Sequence, residues 1–391
     1  MNGTGLRHLR VLLALADCRS VTGAAQLMGL SQPAVSQALQ KLEALSRGVL
    51  FDRSSKGLFA TPRGDVLIRR VRRSLARLDA ALVLVAPRLA LTATTPQLTA
   101  LVAVIEAQNF TIAARRLGIA QPTVHRAIAQ LETEAGRQMF DRAAHGIVPT
   151  RATRALGLAT RLAFAELDQA AADLAELDGR TTGQIVIGAL PLSRSALLPK
   201  ALARYRNMRP DQNITIIDGI YNDLLRGLRR GEIDLIIGAI RDPAPIADIR
   251  QEPWFDDGMC VVAGADHPLA GRQGVRIADL VGYPWVVARQ GTPARDQFES
   301  RIARHFGALP VVETGSILLM RGLLQDQRHL GCVSSGQAAF EIASGQILAL
   351  DLKIDWVGRP IGLTTRTEWL PTAAQQDLLD ACRAIARDPG D

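Results

Sequence analysis

The sequence predicts a multidomain chain: two small, mostly helical units, each running into a long helix, then an α/β domain of two subdomains. Three observations carry this. The chain repeats itself once at a spacing of 89 residues. Beyond Gln184, short runs rich in Ile and Val alternate with helical stretches. Positive charge gathers at one end: residues 1–92 hold 14 Lys+Arg against 5 Asp+Glu, residues 93–178 hold 8 against 9, and residues 179–391 hold 24 against 24. At 48% hydrophobic over 391 residues, the chain is too apolar for disorder and long enough for two or three domains.

The repeat aligns residues 20–53 with 109–142 without a gap. Thr22/Thr111, Ala24/Ala113, Ala25/Ala114, Gly29/Gly118, Gln32/Gln121, Pro33/Pro122, Leu42/Leu131, Glu43/Glu132 and the Phe-Asp-Arg triplets ending at Arg53 and Arg142 are identical. Two copies are too few for a solenoid, so each is a domain in its own right. In copy 1, Leu9, Leu12, Leu13 and Ala16 follow the stripe of a buried helical face. Thr22 is expected to cap a second helix and Gly29 to end it in the left-handed conformation. Ser31 then caps a third helix, with Pro33 tolerated in its first turn. Val35, Leu39 and Leu42 turn inward, which leaves Gln32, Ala34, Ser36, Gln37 and Lys41 outside.

Two helices joined by a short glycine-containing turn make a helix-turn-helix, whose last helix suits a DNA major groove. Gln pairs with adenine, and Ser donates to or accepts from any base edge. Ser54–Gly57 forms a turn between Leu50-Phe51 and Leu58-Phe59, a wing from which Arg53 and Lys56 reach phosphates. Ser31, Gln32, Ala34, Ser36, Gln37, Lys41, Arg53 and Lys56 are thus the candidate DNA contacts of copy 1. The competing reading is a helical hairpin with an ordinary polar surface. The basic end likewise suggests a polyanion, nucleic acid first and a membrane surface second.

The stretch AAQLMGLSQPAVSQALQKLE, followed by LFDR and Thr61-Pro62-Arg63-Gly64, closely resembles the N-terminal signature of LysR-type transcription regulators. The resemblance implies an all-α winged helix-turn-helix, a long linker helix used for dimerisation, and a C-terminal effector domain. Copy 1 departs from the signature at Ser46-Arg47, where the family has Leu-Gly. Copy 2 resembles it less well: Ala120 replaces the capping Ser, His125-Arg126 replace Ser36-Gln37, and Thr153 replaces Gly64, although Gly136 matches. The tandem duplication is itself a departure. Copy 2 contributes Gln121, Thr123, His125, Arg126 and Arg142 as further candidate DNA contacts.

Each copy leads into a helix with a narrow apolar seam: Val71, Leu75, Leu78, Leu82 and Val85 in one; Ala163, Leu167, Ala170, Leu174 and Leu177 in the other. Arg69, Arg70, Arg72, Arg73 and Arg77 crowd the first helix. Glu166, Asp168, Asp173, Glu176 and Asp178 crowd the second. Antiparallel pairing of copy 1 with copy 2 would place them side by side. Alternatively, the arginines face DNA phosphates.

The C-terminal half reads βαβαβ, with strands at Ile185–Leu190, Ile214–Asp218 and Asp234–Ile240 and helices at Ala196–Arg206 and Tyr221–Arg230, hence a parallel sheet. A second such unit runs from Met259 to Leu350. RGEIDLIIGAI, Ala265–Ala270, His329–Ser335 and Ile361–Gln375 resemble the family's periplasmic-binding-protein-like effector domain. The last of these resembles members that sense small organic acids or sugars. A ligand in such a cleft meets strand C-termini and helix N-termini. Ser193, Arg194, Ala239, Gln290, Thr292, Gly315 and Ser316 fall there, where hydroxyls and free N–H groups suit an anion. Ordinary helix capping is the competing role for each.

The expected layout is winged helix-turn-helix copy 1 (1–66), linker helix (67–92), copy 2 (93–155), linker helix (156–180) and effector domain (181–391). Its subdomains span 181–258 plus 355–391, and 259–354. No GxGxxG after a strand, GxxxxGK[ST], HExxH or GxSxG is present, and neither His nor Cys shows metal-ligand spacing, so no enzyme, cofactor or metal is expected. A solute-binding protein would fit the C-terminal half alone. Met1–Arg10 lacks a secretory apolar core, no apolar run approaches a membrane span, and the four cysteines lie far apart. The expectation is a cytoplasmic homo-oligomer, dimer or tetramer, whose partners are double-stranded DNA and a small-molecule effector of anionic class, with no membrane partner. Effector binding is expected to change how the DNA-binding units are spaced.

Overall fold

The computed structural model describes residues 4–143, 146–241 and 244–387. The chain divides into two compact units, residues 1–183 and 184–391.

In the first unit, α1 (Leu6–Cys18), α2 (Val21–Met28) and α3 (Gln32–Ser46) form a trihelical head, followed by the hairpin β1 (Phe51–Ser54) and β2 (Gly57–Ala60) and the long α4 (Pro62–Val85). The short α5 (Leu89–Thr92) leads to the second head, α6 (Thr95–Ala107), α7 (Phe110–Leu117) and α8 (Gln121–Ala135). The hairpin β3 (Phe140–Ala143) and β4 (Gly146–Pro149) and the long α9 (Arg151–Glu176) complete it. Ser20, not Thr22, caps α2: its hydroxyl accepts from the Gly23 N–H, and the helix begins two residues earlier than the Thr22 cap implies. Asn109 does the same for α7. Gly64 lies in the first turn of α4, where the Leu50 carbonyl passes so close that a Cβ would lie 2.1 Å from it.

The copies match in detail. Glu43 accepts from the Leu50 N–H at 3.0 Å, and Glu132 from the Met139 N–H at 2.8 Å. Arg72 pairs with Asp17, and Arg161 with Glu106. Each wing is tied to the end of its first helix, through Leu58 N–H to the Arg19 carbonyl and Ile147 N–H to the Gln108 carbonyl. Both heads and both linker helices share one hydrophobic core.

α4 and α9 run antiparallel along each other. Val71, Leu75, Leu78, Leu82 and Val85 are buried from one side, and Ala163, Leu167, Ala170 and Leu174 from the other. Leu177 lies beyond the seam, at the helix end, and is 49% exposed. Each fully buried leucine contributes about 1.5–3 kcal/mol. The ion pairs choose the partner. Arg70, with no exposed surface, donates to Glu166 at 3.1 Å, Asp173 at 2.9 Å and Gln169 at 2.9 Å. Arg73 reaches Glu166 at 3.1 Å, and Arg63 meets Asp178.

The second unit holds two five-stranded sheets. β5 (Gln184–Ala189), α10 (Leu198–Met208), β6 (Asn213–Asp218), α11 (Tyr221–Arg230), β7 (Leu235–Ala239) and β8 (Ile249–Asp257) begin the first. Then come β9 (Met259–Gly264), β10 (Trp285–Val287), α12 (Pro293–Arg301), β11 (Val311–Glu313), α13 (Ile317–Leu324), β12 (Leu330–Ser334), α14 (Ser335–Ala343) and β13 (Ile347–Ala349). β14 (Arg359–Arg366) and α15 (Ala373–Arg387) return to the first sheet. The orders are β6-β5-β7-β14-β8 and β11-β10-β12-β9-β13. Each sheet is mixed rather than parallel: β8 and β14 are antiparallel in one, β9 and β13 in the other. The chain crosses between sheets twice, at Gly258 and between β13 and β14, and the crossing strands are clamped where Arg359 meets Asp257 at 2.7 Å.

Candidate nucleic-acid interface and ligand cleft

On the first head, Gln32, Gln37 and Lys41 are exposed along α3, Ala34 and Ser36 are half-buried beside them, and Arg53 and Lys56 stand exposed on the wing. Ser31 is also exposed, but its hydroxyl accepts from the Ala34 N–H at 3.4 Å, so its first role is the helix cap. The wing is braced by Arg19, missed in the sequence, whose guanidinium lies 5.3 Å from the Phe59 ring centre. On the second head, Gln121, Thr123, His125, Arg126 and Arg142 are all exposed. The His125 ring stacks on Phe110 at 4.2 Å between centres. Ala120 supplies no cap bond to α8, as its side chain dictates. Arg115 adds a further exposed cation to this head beside Arg126 and Arg142.

In the second unit, a cavity of about 830 Å³ opens between the sheets. Arg194, Ala239, Gln290, Thr292, Gly315 and Ser316 line it. Ser193 does not: it begins a π-helical turn (Ser193–Leu197), is fully buried, and its hydroxyl lies 2.7 and 2.8 Å from the carbonyls of Leu190 and Ile237. Thr292 and Ser316 cap α12 and α13 by accepting from Arg295 N–H and Leu319 N–H, so both also serve the capping role that competed with ligand binding.

Sequence reasoning missed the cavity's main charges. Arg241, Arg289 and Arg359 join Arg194 on the lining, against Asp218 as the one lining carboxylate among the described residues. Arg194 holds Asp218 at 3.0 Å, and Arg241 lies over the Tyr221 ring. Burial raises the Tyr221 hydroxyl above its ordinary pKa, so it stays a neutral donor. Arg359 is 9% exposed, and its Nε is buried without a partner. Arg241 and Arg289 lie only two residues past the ends of β7 and β10, a signal readable in the sequence. Arg359 was hidden because an antiparallel strand brings its N-terminal end to the edge where parallel strands end.

Burial pushes the Cys260 thiol up to about 11 and Cys382 up to about 12, so these thiols stay protonated. Among the described residues, no His/Cys/Asp/Glu cluster could hold a metal, and no helix is long and apolar enough to cross a membrane.

Residues 6–65 and 95–154 each match the bacterial regulatory helix-turn-helix model of the lysR family, and residues 178–387 match the LysR substrate binding domain. The chain belongs to the LysR family. As a LysR regulator it binds DNA and carries a substrate-binding effector domain, and the related proteins are transcription regulators rather than enzymes. It is similar to the HTH-type transcriptional regulator GalR of Pseudomonas putida, 32% identical over 97% of each chain. That alignment spans both heads. The regulator YdcI of Escherichia coli is 26% identical over 72% of this chain and 92% of its own. ArgP from Mycobacterium tuberculosis shares the fold, with a TM-score of 0.57 at 21% identity over 75% of this chain and 97% of its own. Such LysR relatives are nearly spent on three quarters of this chain.

Proposed function

We propose that the effector of this LysR regulator is a small organic anion, a carboxylate rather than a neutral sugar, bound between the two sheets. One observation carries the reading: among the described residues four arginines line the cavity against one aspartate, and although Arg194 pairs with that aspartate and Arg359 with Asp257 behind it, Arg241 and Arg289 add positive charge to the cleft. The buried Nε of Arg359 adds an unused donor at the crossing between sheets. An anion there gains charge-assisted hydrogen bonds in a low-dielectric cleft. A neutral polyol would bring no charge to Arg241 and Arg289. The ligand spans both sheets, so it biases how they meet across the two crossings, and this is the route by which it acts on transcription.

The test is thermal unfolding of the full chain against matched panels of carboxylates and neutral polyols, followed by tryptophan fluorescence. All four tryptophans, Trp254, Trp285, Trp356 and Trp369, lie in the second unit. Carboxylates raise the midpoint by RT ln(1 + [L]/Kd), and Arg289→Gln weakens the rise. A panel in which only neutral compounds raise the midpoint overturns the reading.

A further inference from the structure

We propose that a single chain is a complete two-headed reader of an asymmetric DNA site, with its linker helices committed to each other within the chain.

The register makes the case for commitment. Position i of copy 1 corresponds to position i+89 of copy 2, and Ser74 touches Ala163, its own equivalent. Equivalent positions meet across an antiparallel pair only on a twofold axis, so the heads carried by α4 and α9 are related as in an isologous dimer. The charges break that symmetry. Were α4 to pair in this register with α4 of another chain, Arg70 and Arg73 would face Arg77, the counterpart of Glu166. Arg70 would also face Leu84, the counterpart of Asp173. Were α9 to pair with α9, the buried Glu166 would face Ala159 and Leu162, the counterparts of Arg70 and Arg73. A buried charge left unpaired is strongly destabilising, so like-with-like exchange is selected against. Self-association through α4–α4 or α9–α9 pairing is thereby disfavoured.

Both heads are equipped to read. Lys41, Arg53 and Lys56 are exposed on the first, and Arg115, Arg126 and Arg142 on the second, so each head presents exposed cations although residues 93–178 hold 8 Lys+Arg against 9 Asp+Glu. Gln32 and Gln121 are equivalent, so the half-sites share an adenine contact there. Gln37 and Arg126 are equivalent and unlike: glutamine favours adenine, arginine guanine. The operator therefore has two related half-sites that differ at the base pair read by this position.

Selection of random duplex DNA by the full chain tests the reading. The expected motif has two unlike half-sites. Arg126→Ala should flatten one half-site by about 5- to 150-fold in base discrimination and spare the other. Gln37→Ala should do the converse, and Arg126→Gln should make the halves more alike. A perfectly palindromic motif, or a motif untouched by Arg126→Ala, overturns the proposal. A second arm tests commitment. Arg70→Glu is combined with Glu166→Arg and Asp173→Arg in one chain, or the two sets are co-expressed on separate chains. DNA binding should return only in the single chain. Full recovery from the separate chains would show that the helices exchange, and would sink it.

Discussion

Ser74 donates a hydrogen bond to the carbonyl of Ala163 at 2.8 Å, and the two residues hold the same position in the two copies. Both are buried. Small side chains at this crossing let the backbones of α4 and α9 approach, and a duplicated sequence thereby closes on itself instead of on a second chain. Symmetry brings the ends together as well. Arg137 donates to the Val85 carbonyl, and Arg63 lies 3.5 Å from the Leu174 carbonyl, which corresponds to it. The backbone arrangement is symmetric, and the charged side chains laid on it are not.

Arg70 is the residue on which that asymmetry turns. Burial pushes the Asp173 carboxyl up in pKa against the pull of Arg70, so desolvation already weighs on this network. Arg70→Ala leaves two shielded carboxylates without their shared cation and should destabilise the first unit by about 3–5 kcal/mol. Replacing Arg70, Glu166 and Asp173 together with Met, Leu and Leu should be close to neutral. Helical circular dichroism during urea unfolding registers both units and tryptophan fluorescence only the second. The first variant should move the former and not the latter. A triple variant as unstable as Arg70→Ala would contradict this account.

Arg53 stands exposed on the first wing, away from base-reading positions. Arg53→Ala should weaken specific and non-specific DNA binding alike and reduce the slope of log K against log salt by about one unit. Titrations of the two variants Arg53→Ala and Gln32→Ala at several salt concentrations distinguish their roles. An Arg53→Ala protein with altered base preference and an unchanged slope would mean the wing is docked differently.

Much of this was legible because duplication supplies its own control. A shift of 89 aligns helix, turn and wing together, and the opposed charges of the linker helices stood out from composition alone. Local detail was harder. Thr22 and Ser20 are both competent caps, and only the extended backbone at Ser20 decides between them. Ser193 fell at the expected strand end, but the π-helical turn directs its hydroxyl at backbone carbonyls. Arg359 was not legible because strand direction, which periodicity does not report, decides which end of β14 borders the cleft.

Glu252 links β8 to the last helix. It accepts two bonds from Arg383, each 2.9 Å, and one from Trp254 Nε1 at 2.9 Å. Arg383, then Trp254, hold its carboxyl below the ordinary glutamate value, against some burial. A carboxylate depressed in the folded state stabilises above its unfolded pKa, and that contribution disappears as pH falls through the folded pKa. The second unit should therefore lose stability below about pH 4, with a change in Trp254 fluorescence. Glu252→Gln should be less stable at neutral pH and show a flatter acid limb. An identical acid limb in the variant would assign the acid sensitivity elsewhere.

Each recognition helix has the better residue at one end only. At the start, Ser31 caps α3, whereas Ala120 leaves α8 without a side-chain acceptor. At the finish, Gly136 ends α8 at φ 64°, whereas Arg47 ends α3 in the same left-handed conformation at φ 57°. Such a conformation strains a residue with a Cβ by roughly 1–2 kcal/mol, while a missing cap costs about 0.5–2 kcal/mol. Moving the better residue across should help both heads: Ala120→Ser and Arg47→Gly are each expected to raise the helical unfolding midpoint and leave tryptophan fluorescence unchanged. Gain from Arg47→Gly should be the smaller, because glycine also loses more entropy on folding. The reverse exchanges, Ser31→Ala and Gly136→Ala, should lower the midpoint. A stabilising Ser31→Ala would mean that Ser31 is strained toward a DNA contact and that its capping bond at 3.4 Å contributes nothing.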